Sequence, residues 1–217
     1  MKPDFNFRYY QVTKLILLVI ALYVFSELFI NWIIQILGNY EIEYYRFYPS
    51  VILLCLLFSL INKNLHKIPF LWKWIIKVPL IRGTYTGKVK FNYNNQESFK
   101  HCKLIIFQTT SDLQVDCYFW NVDEDGKKIS SSQTKSESIV EEIVKKKNGL
   151  FQLLFYYRQL GNGDSTIPIR EGFNVLNLKK DGQIRRLEGK YFASNSLSRG
   201  NGGTMAVDFQ TKKLKHI

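Results

Sequence analysis

Two long apolar runs dominate the first sixty residues of the chain. The first covers residues 15–37 and contains few polar side chains. A helix of that length spans the ~30 Å hydrocarbon core of a bilayer. The second run, residues 47–61, is shorter and can use Tyr44 and Tyr45 as interfacial aromatic side chains. The pattern predicts a transmembrane hairpin of two helices over residues 1–67.

The polar side chains within the first run lie on one stripe. Glu27, Asn31 and Gln35 recur every four residues, so they share one face of the helix. An ionised carboxylate near the membrane centre costs about 2.5–3.5 kcal/mol, so the stripe needs polar partners. Either it pairs with the second helix of the same chain, or it joins several copies of the chain through interhelical hydrogen bonds.

A short segment, residues 68–80, follows the two runs and mixes Trp72 and Trp74 with Lys73 and Lys77. Tryptophan and lysine favour the level of the lipid headgroups, which predicts an interfacial linker. The alternative is a hydrophobic linker that packs on the following domain.

From Arg82 onward, apolar and polar residues alternate with the period of two that is typical of strands. Turn pairs such as Asp125-Gly126 and Asp181-Gly182 separate the alternating segments. One segment, residues 136–147, instead has the spacing of a helix with Ser136 as its N-cap. The eight predicted strands are residues 82–93, 99–110, 113–121, 127–134, 150–158, 169–179, 184–192 and 204–210.

The pattern therefore predicts two N-terminal transmembrane α-helices followed by an all-β, antiparallel eight-stranded barrel with one short helix. The barrel would occupy residues 81–217. An eight-stranded barrel has an interior that side chains fill or that holds one small ligand. A β-sandwich is the alternative.

The distribution of charge predicts the orientation of the chain in the membrane and indicates a class of partner. The formal net charge is +12, which suits an anionic membrane face, nucleotides or nucleic acid. Lysine and arginine flank both apolar runs, whereas the loop between the runs carries Glu41 and Glu43. The positive-inside rule then places both termini and the barrel in the cytoplasm.

No catalytic or metal-binding constellation is evident. His66, His101 and His216 lie far apart without a neighbouring carboxylate or cysteine at a recognisable spacing. Cys102 and Cys117 are close enough in sequence to pair, but free, buried thiols are expected in a reducing compartment. The chain is predicted to be no enzyme and to need no metal or cofactor.

The order of several short motifs resembles a known family, the two-transmembrane β-barrel effectors of cyclic-oligonucleotide antiphage signalling (CBASS). The likeness covers nearly the whole chain. Arg170 stands where the family has a histidine, and Gln159 also departs from the family pattern. The motifs that carry the resemblance are Gln108-Thr109; Ser130, Ser132 and Thr134; Phe155, Tyr157 and Gln159; Gly172; Leu187, Gly189, Tyr191 and Phe192; and Arg199-Gly200.

The resemblance implies that one chain both binds a nucleotide signal and causes cell death. The barrel would bind a cyclic dinucleotide made by a partner synthase after infection, without binding DNA or RNA. The spans would then assemble as a homo-oligomer and disrupt the bacterial inner membrane, which leads to abortive cell death. Nucleotide-binding roles are implied for Gln108, Ser130, Ser132, Tyr157, Gln159, Arg170, Asn174, Tyr191 and Arg199. A membrane-anchored barrel that binds a lipid or a protein partner is the alternative.

Overall fold

A computed structural model describes residues 7–37, 47–93, 96–160, 171–181, 184–193 and 202–214. The chain divides into two compact units. The first contains Met1–Leu80 and Thr109–Asp112, and the second contains Ile81–Gln108 and Leu113–Ile217.

Two long helices form most of the first unit. Helix α1 is Val12–Leu37 and helix α2 is Phe47–Asn64. Both are long and apolar enough to be candidate membrane spans, as the sequence predicted. The fully buried residues Ser26 and Ser50 lie one on each helix, and small side chains of this kind let membrane helices approach closely.

A short helix, α3, is Pro69–Ile75, with proline in its first turn, where the missing N–H costs no hydrogen bond. The Trp72 indole N–H donates to the Val78 carbonyl over 2.9 Å, and Trp72 is 2 % exposed. Phe70 and Trp74 remain exposed. The segment predicted to be an interfacial linker therefore buries one tryptophan and exposes the other.

The turn Thr109–Asp112 belongs to the first unit, although it connects two barrel strands in sequence. Thr110 Oγ1 donates to the Asn62 backbone carbonyl over 3.0 Å and also contacts Asn62 Oδ1. The Tyr10 hydroxyl donates to the same Oδ1 over 2.7 Å. Burial raises the pKa of Tyr10, and the hydrogen bond with Thr110 partly opposes that rise. The side chain of Asn62 thus links three sequence segments.

Eight antiparallel strands form the second unit and close into a barrel in the order β1 to β8. Each strand pairs with the next, and β8 pairs with β1, so the predicted barrel is confirmed and the sandwich alternative is wrong. The strands are β1 Gly83–Tyr93, β2 Gln96–Gln108, β3 Leu113–Trp120, β4 Thr134–Lys145, β5 Phe151–Leu160, β6 Glu171–Asp181, β7 Ile184–Ala193 and β8 Gly202–Thr211.

The fourth strand differs from the prediction. Residues 136–147 were predicted as a helix, but Thr134–Lys145 is strand β4, and the short helix of the fold is α3. The register of β4 against β5 shifts between Ser138 and Val140, which marks a β-bulge. The predicted strand over residues 127–134 is also wrong, because Ser130–Ser132 forms a 3₁₀ turn there.

The interior of the barrel changes along its length. We call the end where β1 begins and β2 ends the base, and the opposite end the mouth. At the base, Leu104, Ile106, Leu176, Leu187 and Val207 are all 0 % exposed. Nearer the mouth, the inward-facing residues include polar side chains and aromatic rings, and several are only half-buried. The interior is therefore apolar at the base and partly polar at the mouth.

Candidate ligand-binding site at the barrel mouth

Alternation along the strands brings six polar or aromatic residues onto one region of the inner wall. Ser136 lies opposite Gln159, Ser138 opposite Tyr157, and Asn174 opposite Tyr191. The strands involved are neighbours, β4 to β7, so these side chains form one continuous surface. We call it the mouth site: Ser136, Ser138, Tyr157, Gln159, Asn174 and Tyr191.

Two glycines make room for the tyrosine rings of this site. Gly172 lies opposite Tyr157, and a Cβ at Gly172 would be 2.5 Å from the tyrosine hydroxyl oxygen. Gly203 lies opposite Tyr191, and a Cβ there would be 2.7 Å from the tyrosine ring. Each ring therefore lies over a glycine on the next strand, and a side chain at either glycine would clash with the ring.

Two buried polar atoms of the mouth site have no strong hydrogen-bond partner. Ser136 and Asn174 are each 2 % exposed. Among the residues that the structure describes, Asn174 Oδ1 has no hydrogen-bond partner, whereas the side-chain partner of Ser136 Oγ is the weakly polar thiol of Cys117. A buried polar group without a partner costs about 1–3 kcal/mol, so such groups are usual where a ligand completes the hydrogen bonding.

Two thiols lie beside the serine of this surface. Cys117 pairs with Ser136 across β3 and β4, and Cys102 is on the adjacent strand β2. Burial raises the pKa of Cys102 to about 12, and burial together with the nearby Cys102 raises the pKa of Cys117 as well. Both are free thiols, as the sequence predicted. They act as small apolar side chains rather than as nucleophiles.

The structure brings together four of the nine predicted nucleotide-binding residues: Tyr157, Gln159, Asn174 and Tyr191. Their faces point inward, which the sequence alone did not determine. Gln108 is instead at the base, where its Oε1 accepts the Ile81 backbone N–H over 2.6 Å.

The remaining four predicted residues occupy different surroundings or lie outside the described residues. Ser130 and Ser132 lie in the 3₁₀ turn, and Ser132 Oγ donates to the Ile129 carbonyl over 2.7 Å. Arg170 and Arg199 lie outside the described residues. The roles of all nine residues remain predictions.

Sequence reasoning missed three residues of this region. Ser136 and Ser138 continue the alternating hydroxyl row of Ser132 and Thr134, and that signal was available, but the helix predicted for 136–147 hid it. Lys100 lies opposite Val89 on the inner-face register of β2. By this register, Lys100 lies on the inner face of the barrel wall, as the residues of the mouth site do.

The chemistry of the mouth site matches a planar ligand with several hydrogen-bonding groups. Tyrosine rings can stack on bases, and serine, asparagine and glutamine can bond base edges or riboses. Among the described residues, no group of three histidine, cysteine or acidic side chains is placed to hold a metal ion. The fold and the site together define a small-barrel ligand receptor that follows two apolar helices.

Comparison with known families identifies the receptor class more closely. The family model described as Cap15, cyclic dinucleotide receptor domain, matches residues 76–208. The chain belongs to this family, which confirms the resemblance to CBASS effectors and makes a cyclic dinucleotide the expected ligand. A search of the curated proteins found no match.

Proposed function

We propose that this protein is a non-enzymatic antiphage effector in which cyclic dinucleotide binding at the mouth site drives assembly of the membrane helices and disruption of the bacterial inner membrane. Residues 81–217 would be the sensor, residues 1–67 the membrane hairpin and residues 68–80 an interfacial linker. Both termini and the barrel would be cytoplasmic. A cyclic-nucleotide synthase would supply the ligand, and membrane disruption would end in abortive cell death.

The observation that carries the sensor half is the contrast between the two ends of the barrel. The base is filled by apolar side chains, whereas the mouth site presents aromatic rings and two buried polar atoms without a strong hydrogen-bond partner. Those atoms reduce the stability of the free protein and would gain hydrogen bonds from a ligand. This arrangement favours binding over packing.

The membrane half rests on the polar stripe of α1. Glu27 and Asn31 are partly buried, and Gln35 is exposed. Among the described residues, Asn31 Oδ1 is buried without a hydrogen-bond partner. A polar side chain of this kind on an apolar helix gains most from a partner on another copy. Ligand binding would increase assembly if the ligand binds the assembled state more tightly.

The direct test is thermal unfolding of the detergent-solubilised full chain with a panel of cyclic dinucleotides that covers purine and pyrimidine combinations. At a concentration 100 times its Kd, a bound ligand stabilises the folded state by about 2.7 kcal/mol. That raises Tm by about 5–11 °C for a chain of this size. No shift with any member of the panel would overturn the sensor role and leave a membrane-anchored barrel for a lipid or protein partner.

A further inference from the structure

A lysine faces the interior of the barrel on strand β2. Lys100 lies two residues from Cys102 and four from Leu104, and both of those side chains are 0 % exposed. Because side chains alternate across a strand, Lys100 shares their inward face. Its partner on β1 is Val89, which is 5 % exposed, whereas Lys100 itself is half-buried. The inner face of β2 is therefore apolar toward the base and cationic nearer the mouth.

The pairing of the strands connects this lysine with the mouth site. Tyr191 lies opposite Gly203, and Gly203 lies opposite Phe91. Phe91 in turn lies opposite Ser98. Lys100 is the next inward-facing residue on β2 after Ser98. A continuous row of inward-facing positions thus runs from a tyrosine of the mouth site to the position beside the lysine.

The lysine and the mouth site lie on different sides of the barrel interior. The mouth site is carried by β4 to β7, whereas Lys100 is on β2, four strands from β6 in the closed order of eight. Strands four places apart in a closed eight-stranded barrel face each other across its axis. A ligand inside the mouth therefore has the mouth site on one side and the lysine on the other.

Charge distinguishes the two sides. All six residues of the mouth site are uncharged, so they supply aromatic surface and hydrogen bonds but no positive charge. Among the described inward-facing strand positions near the mouth, Lys100 is the one cation. A cyclic dinucleotide carries two anionic phosphates in a ring with its sugars, and two bases project from that ring. Such a ligand needs a cation as well as aromatic rings, and a lysine ammonium binds phosphate as a compact point charge.

We infer that Lys100 binds one phosphate of the cyclic dinucleotide from the β2 side of the interior, while the mouth site holds a base from the β4–β7 side. The inference rests on the proposed function and deepens it, because it fixes the direction in which the ligand lies across the barrel. A half-buried ammonium is screened less by water and salt than a lysine on the outer wall. The contact should therefore contribute more to affinity than an exposed lysine does.

The first test replaces the lysine in the detergent-solubilised full chain. Lys100→Met keeps a side chain of similar length without the charge, Lys100→Gln is a second uncharged variant, and Lys100→Arg keeps the charge. The probes for isothermal titration are cyclic diadenylate, cyclic diguanylate, cyclic diuridylate and the mixed cyclic dinucleotides of these bases. For a probe that binds the wild type, Kd should rise about ten- to hundredfold in both uncharged variants, as expected for loss of a hydrogen bond to a charged group. Lys100→Arg should largely restore binding.

Lys88→Met is the matched control. Lys88 is exposed on the outer face of β1, with its Nζ 4.9 Å from the centroid of the Phe99 ring. This variant removes the same charge from the barrel but leaves the interior unchanged, so it should keep the wild-type Kd. An equal loss of affinity in Lys88→Met and Lys100→Met would point to the net charge of the barrel and overturn the inference. So would a wild-type Kd for Lys100→Met, because the lysine stem would then only line the wall.

The decisive measurement uses a probe without phosphate charge. An analogue of the binding dinucleotide in which methylphosphonates replace both phosphodiesters keeps the sugars and the bases but is uncharged. If Lys100 contacts a phosphate, this change should weaken binding to the wild type by a factor about tenfold larger than the factor for Lys100→Met. Equal factors would show that the lysine acts through packing, and they would overturn the inference even where Lys100→Met binds weakly.

These outcomes separate the inference from the proposed function. If the wild type binds no member of the panel, the sensor role is rejected and the phosphate contact is rejected with it. If the wild type binds but the two factors are equal, only the contact of Lys100 with phosphate is rejected. Thermal unfolding without nucleotide checks that each variant is folded before its Kd is compared.

Discussion

Replacing Asn174 by leucine tests whether the mouth site sacrifices stability for binding. The amide oxygen is buried without a partner among the described residues, and leucine has a similar volume without the polar atoms. Removing the unpaired group should stabilise the free protein by about 1–2 kcal/mol, which is the lower part of the usual cost of burying an unpaired polar group. For a chain of this length, that raises Tm by about 2–8 °C.

The same change should weaken ligand binding. A ligand group that bonds the asparagine would lose its partner inside a buried site, which costs about 1–3 kcal/mol, or about 5- to 150-fold in Kd. Thermal unfolding without nucleotide and isothermal titration with a cyclic dinucleotide measure the two effects separately. The expected signature is a higher Tm together with a higher Kd.

Asn177→Leu is the matched control on the same strand. Asn177 faces outward, and its Oδ1 accepts a hydrogen bond from Gln152 Nε2 over 2.9 Å. That variant should keep the wild-type Kd and gain no stability. If Asn174→Leu lowers Tm, or binds nucleotide as tightly as the wild type does, the amide is an ordinary core group and the reasoning fails.

Three further predictions concern other parts of the molecule. Glu27→Leu should retain nucleotide binding but lose toxicity when expressed in bacteria, and full toxicity would show that the stripe on α1 is not needed. Tyr157→Ala with Arg170→Ala should abolish the Tm shift with every cyclic dinucleotide, and an unchanged shift would remove both residues from the site. Cys102 and Cys117 should resist alkylation at pH 9 until the barrel unfolds, since a pKa near 12 leaves about one thiolate in a thousand. Because burial raises the pKa of both thiols above the unfolded value of 9.0, the stability they support is complete below about pH 9 and is lost as the pH rises further. Rapid labelling of the folded barrel would contradict their burial.

The number of strands was predictable, but the position of one was not. The bulge in β4 moves the inward-facing positions from Ser136 and Ser138 to Glu141 and Ile143. That shift places Ile139 and Val140 side by side on the outside and gives the segment a helix-like spacing of apolar residues. Alternation alone cannot reveal an inserted residue, although the β-branched side chains in this segment favoured a strand.

The site was partly predictable for a related reason. Alternation showed that Tyr157 and Gln159 share one face of β5, but it gives two faces without stating which one points inward. Closure of the barrel makes one face the interior, and the burial of Leu153 and Phe155 shows that their face of β5, which includes Tyr157 and Gln159, points inward. Gln108 shows that a motif match does not determine where a residue lies. It ends strand β2 at the base of the barrel, where its side chain accepts a hydrogen bond from a backbone N–H.

The hydrogen bonds of Asn62 have a practical consequence for anyone who isolates the receptor. A fragment that begins at residue 81 keeps the turn Thr109–Asp112 but removes Asn62, the acceptor of the Thr110 hydroxyl. Water must then replace that acceptor for the Thr110 hydroxyl. Affinities measured on such a fragment would describe a receptor without the Asn62 hydrogen bonds, so a fragment that retains α2 is the better choice for binding measurements.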